Sequence, residues 1–311
     1  MKKYCFGIDV GGTTVKCGLF DVEGNVLDKW EIKTYTENNG EKILPDVAQT
    51  VLDKIAEKGI EKEEVAGIGI GVPGPVKNDG TVETAVNLHW GFKNIVKEVG
   101  NLTGIPVKAG NDANVAALGE MWKGGGAGSN SLIMVTLGTG VGGGIIIDGK
   151  IVAGSHGAGG EIGHMTTGAK VSKPCNCGNY GCLEQVASAT GIAYLAREEM
   201  KVNKTPTVLN PEHVSAKSVF DAYKENDEVA AIVVDRFAQY LGTALAQLAC
   251  VTDPEVFVIG GGVSKAGQVL IDCVEKYFKE KTFSSCKDTP IVLAQLGNDA
   301  GIYGSARLVL D

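Results

Sequence analysis

The sequence predicts an α/β fold assembled from two related halves, and three observations predict it. β-Branched runs alternate with segments of helical spacing along the 311 residues, the order that builds a sheet covered by helices. Glycine-rich turns at 7–14, 67–75, 123–130, 137–144, 154–163 and 259–267 mostly follow those runs. A strand that ends in glycine lets the backbone approach a ligand closely. The chain also echoes itself: a shift of 127 residues (136 − 9) lays DVGGTTVKCGLFD (9–21) over TLGTGVGGGIIID (136–148). Gly11 then meets Gly138 and Asp21 meets Asp148. Val10, Leu19 and Phe20 meet Leu137, Ile146 and Ile147. Each copy reads strand, glycine turn, strand. The echo suggests two half-molecules facing each other across a cleft, each offering a turn for phosphate; chance similarity between glycine-rich hairpins is the alternative.

The elements follow in order. Tyr4–Asp9 and Val15–Phe20 read as strands around a tight Gly-Gly turn, and Asn25–Tyr35 as a third strand. Glu41–Lys58 places Leu44, Val47, Val51, Leu52 and Ile55 on one helical face. Glu64–Val72 is a strand, Phe92–Thr103 a helix and Ile105–Ala109 a strand. Asp112 is expected to cap a helix over Ala113–Trp122. Ser131–Leu137, Gly144–Asp148 and Lys150–Ala153 are strands, the last two joined by an Asp-Gly turn. Leu183 to about Cys250 is mainly helical. Glu255–Gly260 is a strand, Ala266–Phe278 a helix, Ile291–Ala294 a strand and Asn298–Leu310 a closing helix.

Composition excludes several classes. With 44% hydrophobic residues the chain can bury one large core or two medium ones. A formal net charge of −8 repels phosphate backbones and anionic membranes, so neither nucleic acid nor a membrane is expected as a partner. MKKYCFGIDV has no apolar run before a small-residue cleavage site, and no stretch of 18 apolar residues is present. The expectation is a soluble cytoplasmic protein. Of the eight cysteines, Cys5, Cys17, Cys250, Cys273 and Cys286 are scattered, mostly among apolar neighbours, where thiols pack as small hydrophobes.

The other three lie in HMTTGAKVSKPCNCGNYGCLE (164–184). Without a secretory signal a local cysteine cluster favours metal over a disulfide. His164, Cys175, Cys177 and Cys182 supply three thiolates and one imidazole, which suits a closed tetrahedral zinc site. A closed site leaves no open position for catalysis. A nucleic-acid finger needs a basic helix, and this segment has only Lys170 and Lys173. A brace for something beside it is the remaining use.

DVGGTT (9–14) offers a carboxylate at a strand end, the amides of Gly11 and Gly12, and the hydroxyls of Thr13 and Thr14. Amides in a tight turn form a concave anion site, and Asp9 can hold a hydrated magnesium ion. It is neither a Walker A loop nor G-x-G-x-x-G. Gly138, Thr139 and Gly140 repeat the kit without the carboxylate, and Gly261 and Gly262 stand at a third strand end. Two such turns suit the phosphates of a nucleotide and the third its adenosine.

Asp-x-Gly-Gly-Thr, Gly-Val-Pro-Gly-Pro, Asn-Asp-Ala-Asn, Leu-Gly-Thr-Gly-x-Gly, Gly-Glu-Ile-Gly-His and Cys-x-Cys-Gly-x-x-Gly-Cys-x-Glu occur in that order. Over essentially its whole length the chain resembles the ROK family of bacterial sugar kinases, most of all its glucokinases. The resemblance implies the actin-like ATPase (ribonuclease H-like) fold, two α/β domains around a central cleft. We expect residues 1–112 plus 298–311 to form a small domain and 113–297 a large one carrying the zinc segment. The resemblance makes Asp112 the catalytic base rather than a plain helix cap. It places the sugar against Gly74, Asn87, Asn111, Asp112, Glu161, His164 and Glu184, the imidazole being oriented by zinc. It implies ATP and magnesium at the glycine turns, phosphorylation of glucose at the C6 hydroxyl to glucose 6-phosphate and ADP, a role in glycolysis, and a homodimer or tetramer. Another hexose (fructose, mannose or an N-acetylhexosamine) is the nearest alternative. A non-catalytic sugar-sensing regulator of the family would carry an N-terminal DNA-binding domain, for which strand formation from Tyr4 leaves no room.

Overall fold

The computed structural model describes residues 1–310. The first sheet starts with β1 (Tyr4–Val10), β2 (Thr14–Asp21) and β3 (Val26–Lys33). A short turn α1 (Glu37–Gly40) leads to α2 (Ile43–Lys58), whose Val47, Val51 and Ile55 are buried on one face as the spacing requires. There follow β4 (Val65–Val72), the two-residue strands β5 (Thr81–Val82) and β6 (Lys93–Asn94), α3 (Ile95–Thr103), β7 (Val107–Asn111) and α4 (Asp112–Lys123). The second sheet begins at β8 (Leu132–Leu137), β9 (Val141–Ile147) and β10 (Lys150–Ile151). Helices α5 (Glu184–Ala187), α6 (Ala189–Val202), α7 (Ala216–Lys224) and α8 (Glu228–Thr252) precede β11 (Val256–Gly260). Helix α9 (Gln268–Lys281), β12 (Ile291–Leu293) and α10 (Ala300–Leu308) complete the chain.

The first sheet has the order β3-β2-β1-β4-β7, with β1 antiparallel to β2 and parallel to β4, and β4 parallel to β7. VAGIGIGV is almost wholly buried because β4 is an interior parallel strand. The second sheet has the order β10-β9-β8-β11-β12, with β8, β11 and β12 parallel. The two orders are the same pattern repeated. The 127-residue echo carries β1 onto β8 and β2 onto β9, so the sequence similarity has a structural counterpart.

Contacts group the chain into two compact units. One comprises residues 1–130, 144–160 and 295–311, the other residues 131–143 and 161–294. In the first, Phe6, Ile8, Ile68 and Ile70 of the sheet are buried with Val47 and Val51 of α2. Helix α10 covers the opposite face of β1, where Ser305 Oγ donates to Ile8 O (2.7 Å). In the second unit Phe257 packs edge-on to Phe278, and Phe220 to Phe237. Helix α8, at 25 residues and mean hydropathy 1.3, is long and apolar enough to cross a membrane. The window that passes is 61% buried, with Val233, Phe237, Leu241 and Leu245 among the buried residues. It packs against α6, α7 and α9 as a core helix.

The structure differs from the sequence reading in several places. Asn111, not Asp112, caps α4: its side chain accepts from the amides of Ala113 and Asn114, each at 3.1 Å. Pairing of β7 with β4 extends to Asn111 and holds it extended at φ −63°, ψ 142°, which is the cap conformation. Strand β9 begins at Val141, three residues before the expected start, because its glycines pack rather than bend. A Cβ on Gly144 would lie 2.6 Å from Ala113 O and from Ala117 Cβ. Strand β10 stops at Ile151. The first unit extends beyond the expected break after residue 112 to include α4, whose Gly119 meets α10 so closely that a Cβ would strike Ala300 O.

Candidate functional site

The first unit assembles Asp9, Gly11–Thr14, Gly74, Asn87, Asn111 and Asp112. The turn between β1 and β2 closes by Gly11 N–H donating to Thr14 O (3.0 Å), and Thr34 Oγ1 donates to Gly11 O (2.7 Å). Gly12 and Thr13 are exposed, and the main chain of Asn87 passes so near that a Cβ on Gly12 would lie 3.3 Å from Asn87 O. Asn111 Nδ2 donates to Gly74 O (3.1 Å), tying two of the expected sugar positions together. Gly74 has φ +93°, which glycine adopts without strain.

Asp112 is exposed at the first turn of α4. Its Oδ1 accepts from Ala113 N–H (2.8 Å) and Asn111 Nδ2 (3.0 Å). Because Asn111 does the capping, the cap does not account for Asp112. Asp9 lies at the end of β1, and burial foremost pushes its carboxyl up to about 6. Lys16 pulls it down and the charge of Asp112 pushes it up. Helix α10 presses on this carboxyl at Gly301, where a Cβ would come within 2.6 Å of Asp9 Oδ2. A half-buried carboxylate with one cation beside it, near a second carboxylate, is suited to a divalent ion.

The second unit assembles the other residues. Gly138 N–H donates to Gly140 O (3.0 Å), Ala189 N–H to Gly138 O (2.8 Å) and Thr190 Oγ1 to Thr139 O (2.7 Å). Thr139 is exposed at the tip. Gly261, at φ +83°, lies against the end of β8, where a Cβ would meet Leu137 N and O at 2.6 Å. The turns at 137–140 and 261–262 are therefore neighbours. Beside Gly262 opens a cavity of about 350 Å³ lined by Ala189, Ala216, Lys217, Phe220, Val263 and Lys265 among others, mostly apolar with charged groups at the edge, as nucleoside pockets are.

The His164, Cys175, Cys177 and Cys182 ligand atoms all lie within 4.8 Å of one another. His164 Nδ1 is 3.6 Å from Cys175 Sγ, and Cys177 Sγ is 3.6 Å from Cys182 Sγ. Tetrahedral zinc with Zn–S of about 2.3 Å requires S···S edges of about 3.8 Å, so the four donors fit that ion. Thr166 bridges to Cys182, and Gly178 N–H donates to Cys175 O (2.8 Å), closing the knuckle. Nδ1 turns to the cluster and Nε2 away from it, 4.0 Å from Glu161 Oε2. The Cys175 thiol donates to Glu184 Oε1 (2.8 Å), and Glu184 Oε2 would touch a Cβ on Gly140 at 2.7 Å. The cluster, both glutamates and the Leu137–Gly140 turn thus form one neighbourhood.

The chain matches known proteins over nearly its whole length. A model described as the ROK family matches residues 5–311. The chain belongs to the ROK family. The glucokinase of Halalkalibacterium halodurans is 42% identical, over 99% of this chain and 95% of the relative. The crystal structure of a ROK hexokinase from Thermus thermophilus superposes with a TM-score of 0.80 at 31% identity, covering 97% of this chain and 96% of that one. A ROK family glucokinase from Streptomyces griseus, in complex with glucose and AMPPNP, gives 0.71 at 32% identity with 98% of each chain covered. The fold is that of these ROK sugar kinases, the actin-like ATPase fold.

Several site residues were not singled out from sequence. Lys16 follows the Thr-Thr pair by two positions in β2 and pairs opposite Asp9 in the β1–β2 register. Gly301 and the α7 lining of the cavity come together with the motifs only through the fold. The small residues of AGIYGSA (300–306) were the available signal for close helix packing.

Proposed function

We propose that this ROK protein is an ATP-dependent glucokinase that transfers the γ-phosphoryl group of ATP to the C6 hydroxyl of glucose. The observation that carries the reading is Asp112, an exposed carboxylate whose capping role is taken by its neighbour, beside the half-buried carboxyl of Asp9. Asp112 accepts the C6 hydroxyl proton as the O6–Pγ bond forms and the bond from Pγ to the bridging oxygen breaks, releasing ADP. Asp9 would hold magnesium, whose charge, when bound, would offset that of the phosphates. Gly11–Thr14 and Gly138–Gly140 hold the phosphates through amides and the hydroxyls of Thr13, Thr14 and Thr139. Gly261 and Gly262 line the adenosine end with α7.

Glucose is held by Gly74, Asn87, Asn111, Glu161, His164 and Glu184. Carboxylates accept two hydroxyl donors each, which suits a polyol. His164, Cys175, Cys177 and Cys182 would hold a structural zinc, which would fix the tautomer of His164 and leave its Nε2 for a sugar hydroxyl. We also propose a homo-oligomer working in cytoplasmic glycolysis. A coupled assay with purified protein, magnesium and ATP over glucose, fructose, mannose and N-acetylhexosamines tests the reading. Glucose should give the highest kcat/KM, and a higher value for another hexose would reassign the substrate.

A further inference from the structure

We infer that the cavity beside Gly262 takes 6-oxopurine nucleotides, GTP and ITP, as phosphoryl donors alongside ATP. The inference deepens the kinase reading and rests on it for the identity of the cavity. Every residue that lines the cavity belongs to the second unit. Its floor is apolar, with Ala216, Phe220 and Val263 all buried. Its polar side chains stand at the edge: Ser215, Lys217, Asp221, Lys224 and Lys265 are all exposed. Among the described residues that line it there is no carboxamide and no buried polar side chain.

Purines differ where such an edge would read them. Adenine carries an amino donor at C6 and a bare N1, whereas guanine and hypoxanthine carry an oxygen acceptor at C6 and a hydrogen on N1. The edge offers chiefly donors. Ammonium groups only donate and a carboxylate only accepts. Lys224 Nζ donates to Ala266 O (2.9 Å), and Lys217 Nζ donates to Asp221 Oδ2. The Ser215 hydroxyl caps α7 by accepting from Ser218 N–H (3.1 Å). Lys265 Nζ has no partner among the described residues. The first turn of α7 adds amides without partners inside the helix, and these are donors too. Lys265 therefore suits a C6 oxygen, and the remaining acceptor capacity of Asp221 suits a hydrogen on N1. Adenine can use the same carboxylate through its amino group, so ATP is not excluded. A site built to hydrogen-bond one group rejects an analogue lacking it by about 10⁴–10⁵, whereas an apolar pocket discriminates by about 10² or less. The buried floor is of the second kind. Transfer from GTP or ITP is the same step as from ATP: the bond from the sugar oxygen to Pγ forms, the bond from Pγ to the bridging oxygen breaks, Asp112 takes the hydroxyl proton, and GDP or IDP leaves.

Two measurements on the wild-type protein test the inference. Isothermal titration without sugar should give dissociation constants for GDP and IDP within about tenfold of that for ADP. With glucose and magnesium, GTP and ITP should form glucose 6-phosphate with kcat/KM within about tenfold of that for ATP. Diphosphates of either oxopurine that bind more than about tenfold more weakly than ADP would overturn the inference. So would turnover with ATP alone beside equal diphosphate affinities. Lys265→Met keeps the stem of the side chain and removes its ammonium. In this variant, folded by circular dichroism, the affinity for IDP relative to ADP should fall about threefold or more. An unchanged ratio would remove the donor edge as the cause and overturn the argument. If no nucleotide phosphorylates glucose, the kinase reading falls, and the diphosphate affinities still judge the cavity.

Discussion

Replacing Asp9 by asparagine should stabilise this protein at neutral pH while removing its use of magnesium nucleotide. Burial is the chief reason that the Asp9 carboxyl is raised from 3.8 to about 6. A shift of about two units corresponds to about 3 kcal/mol between the protonated and charged forms. The folded protein binds this proton more tightly than the unfolded chain does. Stability is therefore lost as pH rises from about 3.8 through about 6, and the full penalty persists above that range. Asparagine has nearly the same volume and no charge, so it escapes the penalty. The shift is already net of the attraction to Lys16, so the gain on losing the charge is about 3 kcal/mol. For a chain of this size that is roughly 6–12 °C in Tm. Calorimetry of both proteins without nucleotide should show this gap at about pH 7.5 and almost none at about pH 4, where both side chains are neutral. The same variant should lose phosphoryl transfer by about 10² or more, because it offers magnesium no carboxylate. A variant that melts below wild type at neutral pH, or a gap that is the same at both pH values, would refute the burial argument.

Three other outcomes follow from the site. Asp112→Asn should lower kcat by about 10² or more, with sugar affinity changed by less than about tenfold. Its cost in stability should stay below about 1 kcal/mol, because Asn111 keeps the cap and only a first-turn charge is lost; near-normal turnover of the folded variant would remove Asp112 as the base. Metal analysis should find one zinc per chain, and a strong chelator should release it with loss of sugar binding before loss of nucleotide binding; protein with no zinc and three freely titrating thiols in the 175–182 segment would defeat the assignment. Thr139→Val should raise KM for ATP more than KM for glucose, since Thr139 stands at the tip of the turn beside Gly261; the reverse pattern would move that turn to the sugar.

What could be read from sequence was what local chemistry determines. The strand–glycine turn–strand units and the four metal donors depend on spacings of a few residues, and the structure places the donors within 4.8 Å of one another. The choice of cap for α4 could not be read in the same way. Asn111 and Asp112 are both good caps, and the decision comes from β4, which pairs as far as Asn111 and leaves Asp112 to begin the helix. The Asp9 environment depends on Gly301, and the buried carboxylate of Glu120 on the amides of Gln295 and Leu296. Those partners are distant in sequence, and no periodicity links them.

The repeated sheet order sharpens the meaning of the two positions where the copies differ in charge, Asp9 against Thr136 and Lys16 against Gly143. On the 127-residue shift Asp9 falls on Thr136, and the Gly11 turn falls on the Gly138 turn. Each turn keeps an exposed threonine, Thr13 in the first and Thr139 in the second, so both can serve phosphate. Only the first keeps a carboxylate at the strand end, and only that carboxyl is pressed by a helix at a glycine, Gly301. A divalent ion shared by two carboxylates would raise local charge without benefit if both copies carried one. On the proposed function, phosphate contact belongs to both turns and cation contact to the first alone. Restoring symmetry by Thr136→Asp should therefore not create a second magnesium site. It should weaken ATP binding, because a new negative charge beside β8 faces the phosphates without a lysine like Lys16 to offset it. The position matching Lys16 is Gly143. Isothermal titration with the magnesium-free analogue should show the loss. Unchanged or tighter binding by Thr136→Asp would mean that the second turn does not face phosphate, and the symmetry would then be only architectural.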